Sequence, residues 1–350
     1  MNDRVAGQDQ HSFDARVLLD YLRESLGVKS DSISITRCVG GHSNLNYLVE
    51  LEGLELILRR PPMPEDGRPG RDMSREFKVL SAIAPHFPLA PEPTHYCPDP
   101  GLIGTDFLLL ERFDGNIIRN KGMKELESSR EKRVSLLDSF TKPLADLHRL
   151  DHLAIGLGDL SRGPGYAARQ VATWIGNYGR VRRDDLSKME TVSEWLRESV
   201  PDDAGHCLIH NDYKLDNLML DPGDPSRVIG VLDWEMATIG DPLMDLGMTV
   251  AYWIPAESAD RLRDLPFNPR FLMEEFHRES LIRKYVEHSG RDVRDFDFYH
   301  VFGLFKAATF AQSIYVTNTS KPGAGSMFDR FPLYVEELAR LALKIIESRS

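Results

Sequence analysis

The sequence predicts an α+β fold of two lobes, with a five-stranded antiparallel sheet in the amino-terminal lobe and mainly helices in the carboxy-terminal lobe. Short apolar runs separated by Gly-containing turns crowd the chain before residue 111. Apolar residues at helical spacing dominate beyond residue 116. The exception in the later part is a stretch between residues 207 and 233, where brief β-like runs end in polar residues rich in carboxylates. A chain of 350 residues is long enough for two such lobes, each with its own core.

Taken in order, residues 1–11 are polar and are expected to be disordered, the amino-terminal lobe to occupy 12–114 and the carboxy-terminal lobe 115–350. Phe13, Val17, Leu18, Tyr21, Leu22 and Leu26 form one helical stripe, closed by Gly27. Ile33–Val39, Leu45–Leu51 and Leu54–Leu58 read as consecutive strands turned by Gly40-Gly41 and by Glu52-Gly53, an antiparallel meander. Pro61–Gly70 is a Pro/Gly-rich loop, after which Met73, Phe77, Leu80 and Ile83 have helical spacing up to Pro85. Phe107–Leu110 is a fully apolar strand leading to Glu111-Arg112-Phe113-Asp114-Gly115, and the lobe boundary is placed at 113–116. Later, Cys207–Ile209, Leu218–Leu220 and Arg227–Leu232 are short strands, and a helix begins near Pro242.

Composition narrows the function. Apolar residues make up 41% and charged residues 28%, the balance of a soluble globular chain, while a formal charge of −11 argues against nucleic-acid binding and a basic membrane-docking surface. Cys38, Cys97 and Cys207 match no paired metal spacing and no disulfide framework, which fits a reducing cytoplasm. The amino terminus lacks a signal-peptide apolar region, and the apolar stretch Val301–Val316 is interrupted by Lys306 and Gln312, so no membrane span is expected.

The chemistry concentrates in His210-Asn211-Asp212-Tyr213-Lys214-Leu215-Asp216-Asn217 and in Asp233. Asp212 is a candidate base, Asn217 stands five residues later, and Asp233 ends the next apolar run. Phosphoryl transfer from a nucleotide needs these parts: a carboxylate to accept or orient a hydroxyl proton, and two oxygen ligands for Mg²⁺. Lys214 stands where an ammonium can meet the transferring phosphate, with a solvated loop lysine as the alternative. The spacing His-x-Asp-x₄-Asn is that of a kinase catalytic loop, in which the histidine supports the backbone.

With Gly240-Asp241-Pro242-Leu243-Met244-Asp245-Leu246-Gly247 following, the segment resembles the aminoglycoside phosphotransferase family of the protein-kinase-like superfamily, in particular a branch similar to the kinase-like domain fused to some acyl-CoA dehydrogenases. The resemblance covers roughly residues 30 to 345. It implies a protein-kinase-like fold using ATP and Mg²⁺ to phosphorylate a small-molecule hydroxyl acceptor, with Asp212 and Lys214 catalytic and Asn217 and Asp233 on the metal. It also implies that Gly40, Gly41, His42, Ser43 and Asn44 cover the nucleotide phosphates, as glycines letting backbone N–H groups approach an anion would do. By the same resemblance Arg59 stands in the slot where kinases place a lysine, with Glu76 as its partner and a surface arginine beside the loop as the alternative reading, while Arg60 points to the opposite strand face. Glu111 C=O and Phe113 N–H are assigned to adenine through the resemblance alone.

Bland alternatives stand beside several of these. Asp241 and Asp245 suit helix capping as well as substrate contact, and His148 suits packing. Trp234, Tyr252, Trp253, Phe302, Phe305 and Phe310 are core residues or a pocket lining. A pseudokinase that binds nucleotide without turnover, a protein kinase and an antibiotic kinase are the rival functions. No activation segment separates Asp233 from Gly240-Asp241-Pro242, which favours small substrates. Residues 255–300, where the resembling family builds much of its acceptor site, hold ten Asp/Glu against eight Lys/Arg, a near balance that favours a neutral or anionic acceptor over a polycationic antibiotic; the branch resemblance implies a hydroxyacyl-CoA or related metabolite, with Arg278, Arg283 and Lys284 as candidates to receive its phosphates.

Overall fold

A computed structural model of the protein describes residues 13–38, 44–63, 72–118, 123–182, 187–254, 269–319 and 330–349. The expectations for residues 1–11, for Gly40, Gly41, His42 and Ser43, and for most of the 61–70 loop lie outside the described residues. The chain divides into two compact units, Met1–Asn116 with Ile229–Glu235, and Ile117–Val228 with Met236–Ser350.

In the first unit, helix α1 (Ala15–Leu26) starts where the Asp14 carboxylate accepts the Arg16 N–H, and stops at Gly27, whose φ of 66° suits a residue without a side chain. Strands β1 (Ser34–Arg37), β2 (Leu45–Leu51), β3 (Leu54–Arg60), β4 (Pro93–Cys97) and β5 (Phe107–Glu111) form one sheet in the order β1-β2-β3-β5-β4, every neighbouring pair antiparallel. Tyr47, Val49, Leu56, Leu58, Phe107 and Leu109 pack with Leu18 and Leu22 of α1 in one buried cluster. Each large aliphatic side chain buried there contributes ~1.5–3 kcal/mol. Helix α2 (Ser74–Ile83) buries Glu76 along with Val79, Leu80 and Ile83.

Within the first unit, β3 and β4 differ most from expectation. β3 runs two residues past Leu58, pairing Leu45 with Arg60 and Asn46 with Arg59. Its arginines are held in the sheet from either face: the Arg60 guanidinium lies 5.3 Å from the Phe13 ring centroid and 5.8 Å from that of Tyr47, while Arg59 enters an ion-pair cluster. β4 carried no strand signal, because it opens on Pro93, has a register shift before His95, and is an edge strand where a missing N–H costs nothing.

The segment 229–235 joins the first unit through its own contacts. Strand β8 (Val228–Val231) ends with the Val231 N–H on the Leu89 carbonyl at 2.6 Å, and the Trp234 ring stands edge-on to Phe87, centroids 5.9 Å apart.

The second unit holds helices α4 (Lys124–Ser128), α5 (Arg130–Leu147), α6 (Tyr166–Val181), α7 (Ser187–Glu198), α8 (Pro242–Ala251), α9 (Arg278–Ser289), α10 (Phe296–Thr319) and α11 (Phe331–Glu347); a short α3 (Pro100–Ile103) belongs to the first. β6 (Cys207–Ile209) pairs antiparallel with β9 (Thr238–Gly240), and β7 (Leu218–Leu220) follows the loop between them. α8 is buried along its whole length. α10 crosses it closely, since a Cβ at Gly247 would strike the Tyr299 backbone and one at Gly303 the Gly247 backbone. That approach brings Lys306, one turn beyond Gly303, up to the loop after β6. Among the described residues no helix is long and apolar enough to cross a membrane.

Candidate active site

Among the described residues, most of the predicted site residues fall into two clusters of polar side chains, one in each unit. Three non-glycine residues with positive φ occur among the described residues, and two of them belong to these clusters: Asn211 at 67°, directly before Asp212, and Asp233 at 69°. Left-handed backbone at such residues costs energy and persists where surrounding bonds enforce it.

In the first unit the centre is Arg59. Its Nε donates to Glu76 Oε2 at 3.1 Å, one Nη donates to Asp233 Oδ1, and Glu235 Oε2 lies 3.7 Å away. The expected Arg59–Glu76 pair is therefore formed, and the residue that the sequence left unremarked is Glu235. Its carboxylate accepts the Asn44 side-chain amide at 2.7 Å, and its backbone carbonyl accepts Arg75 Nη1 at 3.0 Å. The D-W-E spacing with Asp233 was the available signal. Three carboxylates thus surround one guanidinium. Burial, reinforced by Asp233 and Glu235, pushes Glu76 up to about 7 against the pull of Arg59. Burial also opposes the charge on Arg59, yet the three acids hold its proton more tightly than usual. Asp233 has the most open side chain of the four at 27% exposure, and its Oδ1 is the oxygen committed to Arg59.

In the second unit the loop after β6 is built on Asp245 of α8. The fully buried Asp245 carboxylate accepts the backbone N–H groups of His210 at 2.7 Å and Asn211 at 2.8 Å. Its third donor is His148 Nε2 at 3.2 Å, while His148 Nδ1 contacts Tyr285 Oη at 2.7 Å. Burial pulls His148 below its ordinary value, so a neutral ring gives Nε2–H to the carboxylate and accepts the tyrosine O–H. Burial works to raise Asp245, but these donors hold it below the usual carboxylate range. Asp241 is the N-cap of α8, accepting from Leu243 N–H at 2.7 Å and from Ala204 N–H at 2.8 Å. Both acids are accounted for by backbone bonds, and His148 by packing beneath the loop.

Asn211 is locked on every side. Its side-chain Nδ2 donates to the Met236 carbonyl at 3.0 Å, its amide meets Tyr166 Oη, and its own carbonyl accepts Lys306 Nζ at 3.2 Å. Asp212 donates its N–H to His210 Nδ1 at 3.3 Å, so that ring nitrogen is an acceptor and the histidine supports the loop backbone. The Asp212 carboxylate receives Asn217 Nδ2 at 3.0 Å and Lys214 Nζ at 3.0 Å on Oδ2, and the Tyr252 hydroxyl at 2.5 Å on Oδ1. Asn217 Nδ2 also donates to the Asp212 carbonyl at 2.9 Å. Sequence reasoning missed Lys306, which it treated only as an interruption of an apolar run, and placed Tyr252 among undifferentiated aromatics. Lys306 is 2% exposed, with its ammonium 5.4 Å from the Trp174 ring centroid; burial lowers its proton affinity while Asp212 and Asp245 oppose that.

The remaining expectations divide. Glu111 closes β5, donating its N–H to the Glu92 carbonyl at 2.8 Å, and Phe113 lies two residues past the strand, half-buried. Trp234, Trp253, Phe302 and Phe305 are core, while Phe310 is 40% exposed. Arg278 is paired with Asp297, Arg283 with Glu287 at 3.9 Å, and Lys284 with Asp138 at 3.1 Å and Glu287 at 2.8 Å. All three phosphate candidates therefore already have carboxylate partners.

A five-stranded antiparallel unit with a buried arginine–glutamate pair, and a helical unit presenting His-x-Asp-x₄-Asn on a loop braced by a buried aspartate, define a phosphotransferase of kinase-like fold. The chain belongs to the phosphotransferase enzyme family, whose model matches residues 34–275. It is 34% identical over 326 residues to acyl-CoA dehydrogenase family member 11 of Mus musculus, an alignment covering 90% of this chain and 41% of that protein. The chain thus spans about two fifths of that relative's length. Among solved structures, a putative aminoglycoside phosphotransferase from Ralstonia eutropha superposes with a TM-score of 0.77 at 26% identity, covering 95% of this chain and 99% of the other. Spectinomycin phosphotransferase, solved with ADP and spectinomycin, shares the fold at TM-score 0.60 and 12% identity, covering 95% of this chain and 98% of the other.

Proposed function

We propose that the protein transfers the γ-phosphoryl group of ATP to the hydroxyl of a small molecule, with a hydroxyacyl-CoA or related metabolite as acceptor in preference to an aminoglycoside. The observation that carries this reading is the Asp212 carboxylate, held by Asn217, Lys214 and Tyr252 on a loop whose backbone Asp245 fixes. Such a carboxylate is oriented before a substrate arrives, which is where most of the rate of phosphoryl transfer originates. Asp212 accepts or orients the proton of the attacking hydroxyl. Lys214 brings positive charge beside it. Arg59, kept cationic by its three acids, grips phosphate oxygens through its fork.

The donor set fits magnesium. Asp233 and Asn217 each offer a hard oxygen atom not used in the bonds described above, and the first unit has two more carboxylates than guanidinium groups at Arg59. Asp233 and Asn217 are the residues that would hold Mg²⁺ by the family resemblance, and the ion would supply positive charge against the nucleotide phosphates. Gly40, Gly41, His42, Ser43 and Asn44 are assigned to the phosphates, and Glu111 and Phe113 to the adenine edge, on the family resemblance.

Two measurements test this reading. Steady-state ADP formation is compared for kanamycin and a 4-hydroxyacyl-CoA at matched concentrations; efficient turnover of the antibiotic with none of the thioester overturns the acceptor assignment. Asp233→Ala is expected to weaken Mg·ATP binding by about tenfold or more while changing metal-free ATP binding by less than about twofold, because the lost bond is to the metal. Asn217→Ala shows the same trend less severely. Calorimetric titrations with and without Mg²⁺ that give equal losses rule out metal ligation by these residues.

A further inference from the structure

Tyr252 joins the two residues assigned above to the chemistry. Its hydroxyl donates to Asp212 Oδ1 at 2.5 Å, and the Lys214 ammonium sits 5.3 Å from the centroid of its ring. The side chain is 8% exposed and stands at the C-cap of α8, the helix whose Asp245 carries the backbone of the same loop. Asn217 and Lys214 both occupy Asp212 Oδ2, so Oδ1 is the oxygen with a lone pair left for an incoming hydroxyl, and Tyr252 holds its other side.

We propose that Tyr252 is a positioning residue of the phosphotransfer reaction, aiming Asp212 through its hydroxyl and Lys214 through its ring. The inference rests on the assignment of Asp212 as the base. Core packing alone requires the ring and not the hydroxyl: a phenol buried for its apolar area needs some hydrogen-bond partner, whereas this one is directed at the carboxylate that the loop spacing singles out. The O–H stays on the tyrosine, because burial and the Asp212 charge push the phenol far above its ordinary range. A donor at Oδ1 therefore persists at neutral pH and fixes which face of the carboxylate receives the acceptor.

Tyr252→Phe removes the hydroxyl and keeps the ring, and Tyr252→Leu removes both. For the Phe variant, turnover with a 4-hydroxyacyl-CoA is expected to fall by about 10- to 100-fold, the loss of one hydrogen bond to a charged group. Its KM for Mg·ATP should stay within about twofold, since a base-positioning contact does not touch the nucleotide. The Leu variant falls further, and Phe at this position recovers part of the difference. Wild-type turnover in Tyr252→Phe overturns the proposal. Amide hydrogen exchange across residues 212–217 is measured on the same proteins and needs no acceptor. It should quicken by about fivefold or more in Tyr252→Phe while α8 itself stays protected. Should the wild type phosphorylate neither the thioester nor kanamycin, the assignment of the acceptor has failed and exchange decides Tyr252: quickened exchange at 212–217 supports its hold on the loop, and unchanged exchange refutes it.

Discussion

Asp212→Asn is expected to lower phosphoryl transfer by about 10²- to 10⁴-fold, the usual worth of a positioned general base, while leaving Mg·nucleotide affinity within about twofold of wild type. The carboxylate acts on the acceptor, and its bonds run to Asn217, Lys214 and Tyr252. An amide in its place can keep its oxygen on the Asn217–Lys214 side and turn its NH₂ to the Tyr252 hydroxyl, which can accept, so the loop can keep its bonds while the group that takes the proton is lost. Comparison of turnover with calorimetric nucleotide binding checks the expectation. Turnover close to wild type in this variant removes Asp212 from the base role.

Asp245→Ala has the larger structural consequence. The side chain is fully buried and satisfies the N–H groups of His210 and Asn211 together with His148. Removing one partner of a buried charged network typically costs about 3–5 kcal/mol, because the remaining donors lose their acceptor in a site closed to water. The comparison is Asp241→Ala, where loss of a helix cap costs about 0.5–2 kcal/mol. Denaturant unfolding at neutral pH measures both, and a loss below that of Asp241→Ala contradicts the central role of Asp245. The pH dependence has a definite sign. Although burial raises Asp245, its hydrogen bonds hold the folded-state pKa below the unfolded value of about 3.9. Its contribution is therefore complete above that pH and disappears as the pH falls through the folded-state pKa, so the unfolding curves of wild type and Asp245→Ala converge in acid.

The sequence by itself determined the α+β division, helix α1 with its Gly27 stop, strands β2, β5, β6 and β7 nearly to the residue, and the His210–Asn217 loop as the place to look for chemistry. These features are written in near-neighbour patterns: alternation of apolar residues, a helical stripe, a glycine at positive φ, and a fixed spacing of base and amide. The Arg59–Glu76 pair was legible through the resemblance to kinases, which pair a cation of this strand with a glutamate of the next helix, here 17 positions on.

Tertiary structure alone decided the rest. β4 has no pattern of its own and exists because the exposed edge of β5 accepts it. Asp233 lies 174 residues from Arg59 in sequence, and the anchoring of Val231 on Leu89 and of Trp234 on Phe87 helps bring it to that guanidinium. Tyr252 was read as core or pocket lining and Lys306 as a break in an apolar stretch; α8 and α10, pressed together at Gly247 and Gly303, bring one to the carboxylate of Asp212 and the other to the carbonyl of Asn211. A residue's type and its immediate neighbours set the conformation it prefers. Which polar group meets a hydroxyl or an ammonium across 40 or 95 positions of chain depends on how the cores close, and burial then makes those contacts obligatory, because a polar group shut away from water must find its partner inside.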